Sequence, residues 1–361
     1  MFKTAEHIEV FYSQNHVGRI ALAPDYCCVF EYDNEWIRSG FSISPFYLPL
    51  RPGIHKARLH PFDGLFGVFN DSLPDGWGKL LTDRWLRKHG VQLNSITVLD
   101  RLALVGSTGM GALTYKPDNN VFTGFEQLSL DFYTKEAEKI LQDEDVDSLD
   151  QLMQTAGSSI GARPKVLIKI DEEEWLVKFK SVADPSNVGK VEFEHSLLAK
   201  KCGIEMPETR LFKDKWFGVR RFDVVGANRF HVHSASGLLY ASHRLPSLDY
   251  VDLMKATLTL THDVNEVARM FRLMVFNVLI GNKDDHAKNF AFIYQNDSWR
   301  HSPAYDLLPS DGIGGQHTTS VNGEGNPTTN DCLEVARKTG FSLKKAREII
   351  DEVEAGLNSG G

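Results

Sequence analysis

Gly281-Asn282-Lys283-Asp284-Asp285-His286-Ala287-Lys288-Asn289, with Asp306 seventeen residues further on, is the stretch on which the reading of this chain turns. Asp284 and Asn289 stand five apart. At that spacing an Asp can take the proton of an attacking hydroxyl while an amide oxygen holds magnesium. From Asn289 to Asp306 the chain runs Phe290-Ala-Phe-Ile-Tyr294, Gln295-Asn-Asp-Ser298 and Trp299-Arg-His-Ser-Pro-Ala-Tyr305, which reads as strand, polar turn and strand. Residues flanking the open end of a hairpin lie roughly 5 Å apart, so Asn289 and Asp306 should meet. Two oxygen ligands beside a third carboxylate suit a hard cation that carries phosphates. Upstream, Val267, Met270, Phe271, Met274, Val275, Val278 and Leu279 form one apolar stripe at helical spacing, and Gly281 closes that helix. A long buried helix delivering a polar loop is a rigid mount for a site.

Composition narrows the classes of function. The 361 residues are 42% hydrophobic and 24% charged, enough core for two or three subdomains. A formal net charge of −8 argues against a protein that coats DNA directly, because neutralising phosphates needs a basic face. The amino terminus, Met1-Phe-Lys-Thr-Ala-Glu-His7, has no apolar leader core, and no apolar run approaches the ~20 residues of a membrane span. Of four cysteines, Cys27 and Cys28 are adjacent while Cys202 and Cys332 stand alone. The absence of a C-x-x-C pair argues against zinc and redox motifs. A reducing cytoplasm is the expected compartment.

Along the chain, short strands are predicted at His7–Tyr12, Val17–Leu22, Cys28–Tyr32 and Phe46–Leu50. A helix follows from Pro74, carrying Trp77, Leu80, Leu81 and Leu86 on one face and stopping at Gly90. The acidic stretch Gln142–Asp150 reads as an exposed linker. Two alternating strands, Val166–Ile170 and Trp175–Lys180, flank a tip at Asp171–Glu174, and a helix runs from about Val191 to Cys202. Beyond Phe222 the pattern is mainly helical apart from the hairpin. A last amphipathic helix carries Leu343, Ala346, Ile350, Val353 and Leu357, with Ser342 placed to cap it. No repeat is visible. A β-rich front and a helical back predict an α+β chain of two lobes.

Several further groups carry chemistry. Gly157-Ser158-Ser159-Ile160-Gly161 can bring backbone N–H groups close to an anion. In Trp175-Leu-Val-Lys-Phe-Lys180, the residues Trp175, Val177 and Phe179 share one face and Leu176, Lys178 and Lys180 the other. A strand lysine beside a glycine loop holds the α- and β-phosphates of ATP in protein kinases. The following helix supplies Glu192, with Glu194 in reserve, to pair with Lys178. Phe217-Gly-Val-Arg220-Arg221-Phe222-Asp223 reads as a connecting strand that offers backbone groups to adenine. His286 and Lys288 are placed to contact phosphate or to orient the loop. The order of parts is glycine loop, strand lysine, helix glutamate, connector, Asp-x4-Asn loop and metal Asp. That is the order of a protein kinase.

Longer motifs then resemble those of the HipA family of bacterial toxin kinases across nearly the whole chain. Gly281–Phe290 is similar to the family's G-x-x-D-x-H-A-K-N-F loop, Tyr305-Asp306 to its metal motif, and Leu176-Val-Lys178 to its strand-lysine motif. Val219–Asp223 resembles its adenine connector. The segments Leu65–Asp75 and Val105–Ala112 resemble its amino-terminal block. Ser158-Ser-Ile-Gly-Ala-Arg-Pro-Lys165 fits its regulatory loop S-x-x-G-A-x-x-K.

The resemblance implies a bilobal, protein-kinase-like fold. Residues 1–117 would form the amino-terminal subdomain, 118–218 the ATP-gripping part and 219–361 the helical catalytic lobe. It also implies a serine/threonine protein kinase toxin that uses ATP and Mg2+. Lys178, Glu192, Ser159, Ile160, Gly161, Arg220, Arg221, Phe222 and His286 would bind the nucleotide. Asp284 and Lys288 would act in catalysis, and Asn289 and Asp306 would hold the metal. Autophosphorylation would fall on Ser158, or on Ser159. The implied partners are a HipB-like helix-turn-helix antitoxin, operator DNA mainly through it, and a target in the translation machinery such as an aminoacyl-tRNA synthetase. Asp285 stands where the family usually has glycine, placing a like charge beside Asp284. A small-molecule kinase and a non-catalytic corepressor are the two alternatives.

Overall fold

Alternation of apolar and polar residues in the first thirty positions builds an antiparallel sheet. In the computed structural model, which describes residues 4–120, 128–312 and 314–359, the strands His7–Tyr12, Asn15–Leu22 and Cys28–Tyr32 pair in sequence order. Leu113–Lys116 joins one edge and Ile54–Lys56 the other. Phe30 packs against Phe66 and Phe69, and Phe69 against Tyr115, which closes the apolar face of this sheet. The strand expected at Phe46–Leu50 does not form; only an isolated bridge joins Ser44 and Leu48. Pro45, Pro49 and Pro52 have no N–H to give a ladder, so the segment stays irregular. Residues 1–3, on which part of the reading of the amino terminus rests, lie outside the described residues.

The chain divides into two units, Met1–Lys190 with Arg210–His231, and Val191–Thr209 with Val232–Gly361. In the first, a second antiparallel sheet contains Lys165–Ile170, Glu173–Lys178, Trp216–Arg220 and Thr209–Phe212 in that spatial order. Its tip is tighter than expected, a two-residue turn at Asp171-Glu172 with both residues at positive φ. Trp175, Val177 and Phe179 point into one core with Trp77, Leu81 and Trp85 of the helix Gly76–Lys88. Leu80, expected on that face, is 37% exposed, and Trp85 takes its place. Helices Leu130–Leu141 and Leu149–Ala156 complete this core. The acidic stretch between them is a connection of turns, exposed at 142–145 and 147, but Val146, Ser148 and Leu149 within it are buried.

The second unit is helical around a small sheet. The helices Tyr250–Thr261 and Val264–Ile280 pack together, with Thr329–Thr339 and Leu343–Asn358 beside them. Ser342 accepts the Lys345 N–H at 3.4 Å and so caps the last helix. Val267, Met270, Phe271, Met274 and Val275 are buried as their stripe predicts, while Val278 and Leu279 are half-buried. Gly281 ends the helix at φ +68, a conformation that glycine adopts without a Cβ clash. The hairpin forms from Ala291–Gln295 and Ser298–His301, and Asn296-Asp297 make its two-residue turn at positive φ. Between Phe222 and this unit lie short strands at Val224–Val225, Asn228–Arg229 and His231–Ser234 that helical periodicity did not reveal. No helix among the described residues is long and apolar enough to cross a membrane.

His301, at the end of the hairpin, is buried with no hydrogen-bond partner for Nε2 among the described residues. Burial, aided by the nearby Arg269 charge, pushes its pKa down to about 3. The folded chain thus holds a neutral imidazole that would protonate near pH 6.5 once unfolded. Its contribution to stability is present above that pH and is lost as pH falls towards about 3. His301→Leu should therefore unfold less readily relative to the parent as pH falls from about 7 to about 4.5, as followed by thermal melts across that range.

Candidate active site

The loop after Gly281 carries its polar groups in two opposite directions. Asp284 and Asp306 are exposed and Asn289 is half-buried, whereas Asn282, Asp285, Ala287 and Lys288 are buried. Asn289 Nδ2 donates to the Asp284 carbonyl at 2.7 Å, which ties the two ends of the Asp-x4-Asn loop together. With the amide nitrogen so used, Oδ1 is the atom Asn289 would offer a cation. Tyr305 Oη donates to the Lys288 carbonyl at 2.8 Å, and Asn282 Nδ2 reaches the Asp306 carbonyl at 3.3 Å. Asn289 is thus tied to the backbone of Asp284, and the backbone of Asp306 to Asn282 of the same loop. Asp306 sits at φ +54, the left-handed region. A non-glycine residue stays there only where its surroundings hold it.

After Asp306 the chain folds back over the loop. Ser310 Oγ accepts the Asp284 N–H at 2.8 Å, Lys283 Nζ donates to the Gly315 carbonyl at 2.9 Å, and Thr318 N–H donates to the Lys283 carbonyl at 3.0 Å. Asp285 points into the protein. Its Oδ1 accepts the N–H groups of Thr318 and Thr319 at 3.0 and 3.1 Å, and Tyr250 Oη donates to Oδ2 at 3.1 Å. His317 Nδ1 lies 2.9 Å from the same oxygen, and against a carboxylate this nitrogen is the donor. The side chain read from sequence as a like charge beside Asp284 is thus an internal anchor. His286 is half-buried with its ring against His243, and its buried Nδ1 has no hydrogen-bond partner among the described residues.

The first unit holds the other expected residues. Lys178 leaves the strand face opposite the core, is 9% exposed, and sets Nζ 5.6 Å from the centre of the Phe217 ring. Glu192 is buried on the helix Val188–Lys201, which starts in one unit and continues in the other. The glycine loop is fastened within its own unit. Gly161 N–H donates to the Asp75 carboxylate, Trp77 N–H donates to the Gly161 carbonyl at 3.0 Å, and Lys165 Nζ reaches the Ile160 carbonyl. Ser158 is half-buried and donates to the Thr108 carbonyl at 2.9 Å. Ser159 is 3% exposed and its Oγ has no partner among the described residues. Ser158 is the more accessible of the two serines.

In the connector, the Arg221 N–H donates to the Glu174 carbonyl at 2.9 Å, extending the sheet. Its guanidinium is also occupied, by both oxygens of Asp223 at 3.0 and 2.5 Å and by Glu174 at 2.8 Å. Burial alone would raise the Asp223 carboxyl, but Arg221 and the Gly111 N–H, at 2.7 Å, hold it below the usual range. Arg220 pairs with Glu173 at 2.5 Å on a half-exposed surface, and Phe222 is half-buried.

As a cation site, the pair Asn289 and Asp306 is of the open kind. Among the described residues no group of three or more His, Cys, Asp or Glu forms a closed metal cage. Mg2+ in phosphate-transfer sites takes one or two carboxylate or amide oxygens and completes its shell with phosphate and water. The residues present fit that requirement.

Comparisons with known proteins bear on the family and the fold. Residues 8–116 match the family described as HipA N-terminal domain, and residues 157–360 the HipA-like C-terminal domain. A protein of Sinorhizobium fredii (strain NBRC 101917 / NGR234), described as putative kinase Y4dM, is 28% identical over 167 residues. That stretch is 41% of this chain and spans 40% of the relative's length. HipA of Shewanella oneidensis MR-1, solved with HipB and operator DNA, matches with a TM-score of 0.72 at 17% identity. The match covers 98% of this chain and 89% of that one, a likeness of fold. The carboxy-terminal match alone spans more than half of the residues, and the chain belongs to the HipA family.

Arg221→Ala would strand the buried Asp223 carboxylate. Removing one partner of a buried ion pair costs about 3–5 kcal/mol, so the variant should lose that much stability in a denaturant titration.

Proposed function

We propose that this member of the HipA family is an ATP-dependent serine/threonine protein kinase and the toxin of a toxin–antitoxin pair. The reading is supported by three bonds at the end of one buried helix and one hairpin: Asn289 to the Asp284 carbonyl, Asn282 to the Asp306 carbonyl and Tyr305 to the Lys288 carbonyl. Asp284 would orient the acceptor hydroxyl and receive its proton as the oxygen attacks the γ-phosphorus and ADP departs. Asn289 Oδ1 and the Asp306 carboxylate would hold Mg2+, which when bound screens the charge of the phosphates. Lys178 would ground the α- and β-phosphates, with Glu192 as its partner, and Lys288 would steady the transferred phosphoryl group. The backbone around Arg220 and Phe222 would meet adenine, and the loop of Ser159, Ile160 and Gly161 would cover the phosphates.

Ser158, the more accessible loop serine, is the proposed site of autophosphorylation. A phosphate adds about −1.5 to −2 charge and would displace the Ser158 hydroxyl from the Thr108 carbonyl, releasing the loop. The Shewanella HipA was solved with HipB and operator DNA, which supports a HipB-like antitoxin as partner. A net charge of −8 favours contact with operator DNA through that partner rather than directly. The proposed target is a protein of the translation machinery, an aminoacyl-tRNA synthetase among them, with growth arrest as the consequence.

Asp284→Ala should lower phosphate transfer about 10²–10⁴-fold while leaving Mg-ATP binding largely intact. Mass spectrometry of Ser158 and a phosphoproteome of cells expressing each form would read the first effect. Undiminished phosphorylation in the variant would sink the assignment, and label carried by a small metabolite instead of a protein would point to a small-molecule kinase. Asp306→Gln should instead weaken Mg-ATP binding, measured by calorimetry.

A further inference from the structure

Behind the loop lies a row of buried polar side chains to which the chemistry above gives no part. Asn282 and Asn277 are each 2% exposed, and Tyr250 and Asp285 are fully buried. The two hydrogens of the Asn282 amide are both used, on the Asp306 carbonyl at 3.3 Å and on Asn277 Oδ1 at 3.0 Å. Asn277 Nδ2 donates to Tyr250 Oη at 3.0 Å, and Tyr250 donates onward to Asp285 Oδ2 at 3.1 Å. The direction of these bonds is fixed by the chemistry. An amide nitrogen can only donate, and Tyr250 must then use its one proton on the carboxylate. Burial, together with the Asp285 charge, pushes the Tyr250 pKa well up, so the phenol keeps that proton.

The row begins at the backbone of the metal-side residue Asp306 and ends at the neighbour of Asp284. Between them it passes through Asn277 on the helix Val264–Ile280 and Tyr250 at the start of the helix Tyr250–Thr261. Core packing needs no polar atoms here. Apolar residues of similar volume would fill the space without leaving donors to satisfy. A chain of satisfied bonds that starts at a strained left-handed residue and ends beside a catalytic carboxylate has the form of an alignment device.

We propose that Asn282, Asn277, Tyr250 and Asp285 are positioning residues for phosphoryl transfer. Together they set the metal-holding carboxylate of Asp306 and the hydroxyl-orienting carboxylate of Asp284 at a fixed separation. Asn282 holds the left-handed turn at Asp306, and Asp285 draws the loop inward so that Asp284 faces out. The proposal rests on the kinase reading and deepens it by naming what aligns its two acidic groups.

The test is transfer of label from radioactive ATP to the full-length chain itself, followed over a Mg2+ titration for wild type, Tyr250→Phe and Asn282→Asp. Thermal melts run in parallel. Tyr250→Phe deletes one oxygen and keeps the ring packed. Asn282→Asp keeps the shape and replaces the amide nitrogen with a carboxyl oxygen, which removes at least one of the two donated bonds. Outer-shell partners of this kind change activity or metal affinity about 10–100-fold. We expect both variants to label at least about tenfold more slowly at saturating ATP. Asn282→Asp should also need more Mg2+ for half-maximal rate. Wild-type rates and Mg2+ dependence in both variants, with only a lowered melting temperature, would make the row a structural network and overturn the proposal. Absence of label in wild type would instead remove the kinase reading itself, and the relay with it.

Discussion

A carboxylate without access to water governs the arrangement of the second unit. Leaving Asp285 unpaired in the interior would cost several kcal/mol, and hydrogen bonds to a charged group return about 1.5–3 kcal/mol each. Four donors reach it, and two of them are the consecutive N–H groups of Thr318 and Thr319. Backbone donors cannot be supplied without bringing the chain along. The segment after Asp306 must therefore fold back over residues 281–285. In doing so it places Ser310 Oγ on the Asp284 N–H and Thr318 N–H on the Lys283 carbonyl. The exposed carboxylate of Asp284 and the buried one of Asp285 are two results of a single requirement.

The same reasoning ranks the interactions of the first unit. Lys56 and Asp25 approach to 2.5 Å, but both are more than half exposed, and solvent screens such a pair. Arg221 and Asp223 are 5% and 3% exposed, so whatever breaks that pair leaves a buried charge. Asp223 also accepts the Gly111 N–H, and Arg229 donates to the carbonyls of Ser107 and Gly109. The glycine-rich segment 105–112, which has few side chains to pack, is thereby held by charge-assisted bonds to its backbone. The loop 157–165 is fastened in a similar way, by the Asp75 carboxylate and Lys165.

What the sequence made legible was periodic or closely spaced. The stripe from Val267 to Val275 and the alternation of Trp175, Val177 and Phe179 are patterns with a fixed period, and both faces are buried as read. The hairpin was legible because a polar turn separates two apolar strands, and the register follows from the turn at Asn296-Asp297. The losses came where the deciding partner is remote or local chemistry overrides pattern. Three prolines silence the strand at Phe46–Leu50. Val146 and Ser148 pull an acidic stretch onto the core, although charge alone reads as solvated. Arg221 looked available because Glu174, its partner, lies across a strand pairing rather than beside it in the chain. Asp285 was misread for the same reason: His317 is thirty-two residues away, and nothing in the local spacing of the loop announces it.

Position in the chain also separates two kinds of requirement within the proposed reaction. Asp284, Asn289 and Asp306 all belong to the second unit, as do the groups that fix them, from Tyr250 to Thr319. Their mutual geometry therefore follows from the packing of two helices, one hairpin and one returning segment, independently of the first unit. Lys178 and the glycine loop belong to the first unit and are set by its own sheet and by the helix Gly76–Lys88. A change in either set has a different expected signature. On the proposed reaction, disturbing the returning segment would alter the alignment of proton acceptor and metal ligands, and so the rate of transfer. Disturbing the first unit would alter the grip on the nucleotide. The left-handed turn of Asp306 at φ +54 belongs to the former set, where the buried Asn282 amide donates to its carbonyl.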